Sequence, residues 1–321
     1  DFANGMIVGV IKSGDQAQRT FSQIPIIAWG MERVYQRTGD KELLKQGLSR
    51  LERLHEWWWR ERDLHGNGLT ALGAYSGVKQ HAKWETFDFE VNIDDLKMTK
   101  HPVRKGANEG SWYSDICTPG NNAYLILGEK CLQRLAEVMG DREMAERRGL
   151  RIEKGIKGMR EHMWDEEAGT FLSVQRDSLK KIPVATISSW IPLYAGVATK
   201  AMAARMAKVL ASPSWMTKLP LPPVEAKDHR YVSHGMWRGD TWPPTSYQIA
   251  HGLAAYGFGD LAAEICDRNI DNAMVHGINE KYDSATGEAK GVKDYSMSAT
   301  LLTMMLDGLT KKNTIKLKKR S

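Results

Sequence analysis

Five carboxylates fall within twelve positions, Trp84-Glu85-Thr86-Phe87-Asp88-Phe89-Glu90-Val91-Asn92-Ile93-Asp94-Asp95, among aromatic and apolar neighbours. Glu85, Asp88 and Asp95 share a face at helical spacing, whereas Trp84, Phe87, Val91 and Ile93 call for burial. A carboxyl group enclosed by rings is disfavoured as an anion, which keeps it protonated near neutral pH and fit to donate a proton. Asp88, between Phe87 and Phe89, is the candidate for such an acid, with Glu85, Asp94 and Asp95 as its rivals. From this stretch alone, acids that cap a helix and face water explain the composition equally well.

A second group, Trp237-Arg238-Gly239-Asp240-Thr241-Trp242-Pro243-Pro244-Thr245-Ser246-Tyr247, places two tryptophans around Arg-Gly-Asp and ahead of two prolines. That spacing makes no helical stripe, and the prolines suit the first turn of a helix starting at about Pro243. Indoles beside polar forks suit sugar recognition, because the ring face covers C–H groups while carboxylate, amide and guanidinium groups bond hydroxyls. Two tryptophans that anchor a core are the alternative.

The elements that must hold these residues are helices. Phe21, Ile24, Ile27, Ala28, Met31, Val34 and Tyr35 repeat at helical spacing up to Thr38-Gly39-Asp40, and a second helix runs through Leu43, Leu48, Leu51, Leu54 and Trp58 to about Asp63. Gly39 suits a left-handed stop and Asp40 the next cap. The same punctuation returns at Gly140-Asp141, between Leu132–Met139 and Met144–Met163, and at Gly259-Asp260, between Ile249–Phe258 and Leu261–Met274. Ser188–Ala195, Lys200–Leu210 and Tyr295–Leu309 add further helices, about nine in all, with short strand-like pieces such as Thr170–Val174. Repeated αα-hairpins without strand and helix alternation predict an all-α toroid or solenoid. Long segments at 64–120, 164–187 and 211–242 break the repeat and hold the unusual chemistry, as functional loops do.

Composition excludes several classes. With 321 residues, 42% hydrophobic and 26% charged, the chain reads as a globular protein rather than a disordered one. Of the formal charge of +6, five lysines and one arginine sit in Lys311–Ser321, a solvated basic tail, so neither nucleic acid nor a membrane is the expected partner. Cys117, Cys131 and Cys266 are odd in number and lack metal spacing, and the nine histidines include no His-x-x-x-His pair. No metal and no cofactor is expected, phosphate-loop and dinucleotide fingerprints being absent. No run reaches the roughly 18 apolar residues of a membrane span. The compartment is not legible, although unpaired cysteines and the lack of a visible signal peptide lean towards the cytoplasm. Oligomeric state is not legible either.

Taken in order, these stretches resemble glycoside hydrolase family 63 and the mannosylglycerate-hydrolase-like enzymes, with a more distant likeness to trehalases. Ser22-Gln23-Ile24-Pro25 resembles the family's Ser-Gln-Pro-Pro helix start, and Gly66-Asn67-Gly68-Leu69 its Asp-Gly-Asn-Gly-Leu turn. Trp84-Glu85-Thr86-Phe87-Asp88 is similar to Trp-Glu-Ser-Gly-x-Asp, in which the aspartate is the general acid. Trp237-Arg238-Gly239 with Trp242-Pro243-Pro244 resembles the Trp-Arg-Gly-Pro-x-Trp sugar-pocket segment. Glu280-Lys281-Tyr282-Asp283 followed by Thr286-Gly287 resembles Glu-x-Tyr-[Asp/Asn]-x-x-Thr-Gly, whose glutamate is the general base. The likeness spans residues 17 to 310. It implies an (α/α)6 barrel and an inverting, metal-independent α-glycosidase with a carbohydrate partner. Asp88 and Glu280 would be its catalytic pair, and Gln23, Trp84, Thr86, Trp237, Arg238, Gly239 and Trp242 its substrate contacts. The polar surroundings of Glu280, among Asn279, Lys281 and Asp283, agree with an ionised base. An exposed loop acid ahead of an ordinary turn, Asp283–Gly287, is the plainer reading of the same residues.

Departures from the pattern are specific. Thr86 replaces the glycine two residues before the acid, Phe89 follows it where asparagine is common, and Asp240 stands where proline is usual, adding negative charge near the pocket. Met297 replaces an aromatic of the last helix. Family members carry about two helices before Ser-Gln-x-Pro, so residues 1–310 read as a barrel domain lacking its first helices, or as an open wall, followed by the tail 311–321. The expected substrate is an α-glucoside or α-mannoside, such as a small glycosyl glycerate or a short oligosaccharide. Arg104, Lys105 and Arg176 are candidates to receive an anionic aglycone, with solvated surface charge as the alternative. A non-catalytic carbohydrate-binding or scaffold protein of the same fold is the competing function.

Overall fold

A computed structural model describes residues 11–12, 16–17, 24–63, 65–71, 73–74, 98–100, 112–114, 116–233, 235 and 237–309. Nine α-helices occur among the described residues, and the short strands form sheets of two or three. The chain divides into two compact units, one of Asp1–Trp164 with Leu172–Pro183, the other of Asp165–Phe171 with Val184–Ser321.

The first unit contains two helical hairpins and several short strands. Helices α1 (Ile27–Thr38) and α2 (Lys41–Arg62) meet at Gly39, left-handed at φ 67°, and Asp40, whose carboxylate accepts the Leu43 N–H. Helices α3 (Pro119–Met139) and α4 (Arg142–His162) meet in the same way at Gly140, φ 76°, and Asp141, which accepts the Met144 N–H. Glycine takes the left-handed stop without a Cβ clash, and the aspartate satisfies an amide that the new helix leaves open. Helix α3 starts at Pro119, well before Leu132, with Thr118 as its cap, and it packs against α1, α2 and α4. Conversely, α1 begins only at Ile27, leaving Ile24–Ile26 outside the helix.

Trp57, Trp58 and Trp59 are all buried, so the end of α2 is enclosed around most of its circumference. Between the helices, Glu129, fully buried, accepts the Trp59 indole N–H at 2.7 Å, lies 2.9 Å from His55 Nδ1 and accepts Arg148 at 3.3 Å. The Gly66-Asn67-Gly68-Leu69 stretch is a turn, as its composition predicts. Gly68, φ 84°, crosses so close to α4 that a Cβ there would lie 2.5 Å from the Lys154 carbonyl oxygen.

In the second unit a 3-10 turn, Ile187–Trp190, runs into the four-residue helix α5 (Ile191–Tyr194), a broken form of the helix expected over Ser188–Ala195. Helix α6 is Lys200–Leu210, α7 Pro243–Ala255, α8 Gly259–His276 and α9 Ser296–Gly308. Helix α7 starts at Pro243 and packs against α5, α8 and α9. Its Gly252 touches α5 so closely that a Cβ would lie 2.6 Å from the Tyr194 nitrogen. The expected Gly259-Asp260 turn is incorrect: both residues belong to the first turn of α8. The chain reverses two residues earlier at Gly257, φ 93°, and Asp260 instead places a carboxylate at the amino end of the helix, where the dipole favours it.

Candidate active site

The site in the second unit is built on a three-stranded antiparallel sheet. Asn279–Asp283 is flanked on one side by Asp240–Thr241, with Asp240 opposite Asp283 and Thr241 opposite Tyr282, and on the other by Ala289–Lys293. The link Asp283–Glu288 is a side-chain-stabilised turn. Asp283 Oδ1 accepts the N–H groups of Ala285 and Thr286, both at 2.9 Å, and the Gly287 N–H returns to the Asp283 carbonyl at 2.8 Å. Gly287 is left-handed at φ 77°, and a Cβ there would meet Asn272 Oδ1 at 2.3 Å. The Asp-x-x-Thr-Gly part of the motif is therefore structural: it fixes the end of the strand that carries Glu280.

Glu280 is half-buried on that strand. Its Oε2 accepts the Val292 N–H at 3.0 Å, and its backbone carbonyl accepts the Ser298 hydroxyl of α9 at 3.4 Å. Tyr295 lies close enough for burial first, and then the Glu280 charge, to push its phenol pKa upward.

The loop before α7 brings the two tryptophans face to face. The rings of Trp237 and Trp242 are parallel within 2°, with centroids 4.4 Å apart. Trp242 is 6% exposed and caps α7, whereas Trp237 is half-buried, so the inner ring serves as a packed base for the outer one. Trp242 is thus packed as a core residue, while Trp237 keeps part of its surface open. Gly239 is required by packing: a Cβ there would lie 2.0 Å from the Val232 carbonyl oxygen. Ser233 donates to Asp283 Oδ2 at 3.0 Å and Tyr231 meets Ser284 at 2.9 Å, tying this loop to the strand of Glu280. Arg238 is half-buried and makes no ion pair among the described residues.

Two expectations about charge are corrected. Asp240 does not lie at a pocket rim: it is 1% exposed and takes a 2.6 Å hydrogen bond from Lys281 Nζ, itself 5.7 Å from the Trp242 ring centroid. The Lys281 ammonium is thus engaged with Asp240. Arg176 does not offer a free fork either. Buried, it grips Asp177 with two bonds of 2.8 and 2.9 Å, and that grip, with His65 Nε2 at 3.1 Å, holds the Asp177 carboxyl far below the usual range. Gln23, Trp84, Thr86, Asp88, Arg104 and Lys105 lie outside the described residues, as do Glu85, Asp94 and Asp95.

Sequence reasoning missed the Asp240–Lys281 pair, Tyr231, Ser233 and Tyr295. The signal that would have found the first is the strand pairing of 240–241 with 279–283, which no local pattern announces. Among the described residues no group of three or more His, Cys, Asp or Glu is arranged to hold a metal ion, and no helix is long and apolar enough to cross a membrane. Cys117 and Cys266 are buried thiols that burial pushes up to about 12, which leaves them inert.

Comparison with known proteins is consistent across sequence and structure. Mannosylglycerate hydrolase from Rubrobacter radiotolerans is 28% identical over 84% of this chain and 70% of its own length. Mannosylglycerate hydrolase MGH1 from Selaginella moellendorffii is 24% identical over 90% of this chain, which spans about two thirds, 67%, of that protein. Among solved structures, the GH63 mannosylglycerate hydrolase from Thermus thermophilus in complex with Tris superposes with a TM-score of 0.79 at 22% identity, covering 95% of this chain and 85% of that one. Neutral trehalase Nth1 from Saccharomyces cerevisiae gives 0.67 at 16% identity, over 94% and 64%. These likenesses show the fold, that of the (α/α)6-barrel enzymes. The family model described as the mannosylglycerate hydrolase MGH1-like glycoside hydrolase domain matches residues 3–298, and the chain belongs to that glycoside hydrolase family.

Proposed function

We propose that the protein is an inverting α-glycosidase acting on an α-mannoside or α-glucoside of a small acid such as glycerate, with Glu280 as general base and Asp88 as general acid. Glu280 withdraws a proton from water as the water oxygen bonds to the anomeric carbon. The glycosidic C–O bond breaks on the opposite side, and Asp88 protonates the departing oxygen. The two carboxyl groups perform both proton transfers, so this reading needs no metal. It places them roughly 6.5 to 9.5 Å apart, the separation that admits the attacking water. Trp237 supplies the ring face for the sugar, backed by Trp242, and Arg238 offers donors to its hydroxyls. Gln23, Trp84 and Thr86 complete the contacts.

The observation that carries the reading is the direct strand pairing between Asp240–Thr241 and Asn279–Asp283, which joins the loop of the tryptophan stack to the strand that carries Glu280. The test is hydrolysis of a panel of α-mannosides, α-glucosides and their glycerate derivatives, with the first-formed anomer followed by proton NMR. The expected result is a β-anomer from an α-linked substrate, and loss of kcat by several orders of magnitude in Asp88→Ala and Glu280→Ala with the fold retained. An α-anomer would overturn inversion, and activity surviving in Asp88→Ala but not in Glu85→Ala would move the acid. An intact protein that binds these sugars without cleaving them would leave the non-catalytic reading.

A further inference from the structure

Opposite Glu280 the hairpin loses its regular register. Asn279 pairs with Lys293 but Lys281 pairs with Lys290, so two steps along one strand face three along the other, and the extra residue lies at Gly291–Val292. Such a bulge bends the strand and re-aims what it carries. Gly291 sits at φ 74°, a left-handed conformation that costs glycine little. A Cβ on Gly291 would lie 2.3 Å from Glu280 Oε2 and 2.9 Å from Glu280 Cβ, so the space that this glycine leaves is filled by the Glu280 side chain. The next amide, Val292 N–H, donates to that same oxygen at 3.0 Å, while the Val292 side chain is 58% exposed. Glu280 Oε1 takes no hydrogen bond from a described residue.

We propose that the Gly291–Val292 bulge is a positioning device for the Glu280 carboxylate: the glycine admits it, the Val292 amide fixes Oε2, and Oε1 is left to accept the proton of the attacking water. The proposal rests on the reading of Glu280 as the general base. The left-handed backbone of the bulge already favours glycine at 291; the proposal adds a second reason, the close approach of another group, which is the other mark of a glycine inside a strand. Here the approaching group is the carboxylate. Without the anchor the carboxylate swings about its side-chain torsions, and misplacement of a reacting group by about 1 Å costs up to about 100-fold in rate.

The experiment compares Gly291→Ala, Gly291→Asn and Val292→Ala in the full chain, using the best substrate of the glycoside panel. Asparagine tolerates the left-handed backbone far better than alanine, yet both bring a Cβ into the carboxylate. Both are expected to lose kcat about 10- to 100-fold with KM changed less than about threefold, whereas Val292→Ala, which keeps the amide, stays within about twofold of wild type. Full kcat in Gly291→Asn overturns the proposal, as does a loss confined to KM. A chain too unstable to assay is read from thermal melting instead. If the carboxylate occupies the bulge, Gly291→Asn lowers Tm less in a Glu280→Ala background than in wild type, and equal losses overturn the assignment. Should Glu280→Ala itself remain active, the functional reading fails. The melting comparison then still decides whether the bulge holds the side chain.

Discussion

Breaking the Asp240–Lys281 pair should cost more than removing it whole. Asp240 is 1% and Lys281 8% exposed, and they meet at 2.6 Å, so neither charge relies on water. Lys281→Met leaves a buried carboxylate without its cation, and Asp240→Asn leaves a buried ammonium without its anion; loss of one partner from such a pair costs about 3 to 5 kcal/mol. Lys281→Met also forfeits the contact with the Trp242 ring, worth about 1 kcal/mol more. The double variant Asp240→Asn with Lys281→Met buries no net charge and keeps similar volume, so its destabilisation should be smaller than that of either single change. The coupling energy should then exceed about 2 kcal/mol. Urea unfolding at pH 7 followed by tryptophan fluorescence measures all four chains in one cycle, and circular dichroism checks that each starts folded. Costs that add within about 0.5 kcal/mol would refute the reasoning, because they would mean that the two groups do not depend on each other.

Asp141→Ala should lower stability by about 1 kcal/mol in the same assay, since it removes the acceptor of the Met144 N–H at the start of α4. Gly252→Ala should cost about 1 to 3 kcal/mol, because its Cβ would press on the backbone of Leu193 and Tyr194. Glu129 gives a pH dependence of known sign. Burial alone would raise its carboxyl, but the His55 charge and hydrogen bond, the Arg148 guanidinium and the Trp59 N–H together hold it below its ordinary 4.5. It therefore stabilises the fold at pH above 4.5, and that contribution is lost as pH falls through the lowered folded value. The stability gap between wild type and Glu129→Gln, measured as urea midpoints, should narrow as pH is lowered below 4.5.

Helix boundaries were legible wherever local chemistry sets them. Gly39-Asp40 and Gly140-Asp141 each combine a left-handed glycine with a carboxylate that caps the following helix, and both steps need only neighbouring residues. Gly259-Asp260 has the same letters but not the same roles, because Gly257 had already made the turn. Two glycines two residues apart offer the chain a choice that packing decides. The start of α3 was missed for a related reason. Its first turns, Pro119 to Glu129, are buried throughout and show no amphipathic alternation from which a helix is read.

Within the site, residue identities were legible but pairings were not. The tryptophans at 237 and 242 were recognisable as a functional or a core pair, and the stack separates them into an inner, buried ring and an outer, half-buried one, which spacing alone does not express. Lys281 stands next to Glu280 in sequence, but the partner of its charge, Asp240, is 41 residues away. The departure at Asp240 then has a physical account. An acid where the family pattern has proline would bury an unpaired charge, a cost of several kcal/mol, unless the facing strand supplies a cation, and Lys281 does so at the position next to Glu280. Neighbouring residues of one short strand thus divide the work: Lys281 secures it to the loop of the tryptophan stack, while Glu280 is held by the backbone of the third strand. A substitution at Lys281 should therefore register first in stability, and one at Gly291 first in turnover, a separation that measurement of both quantities on the same variants makes visible.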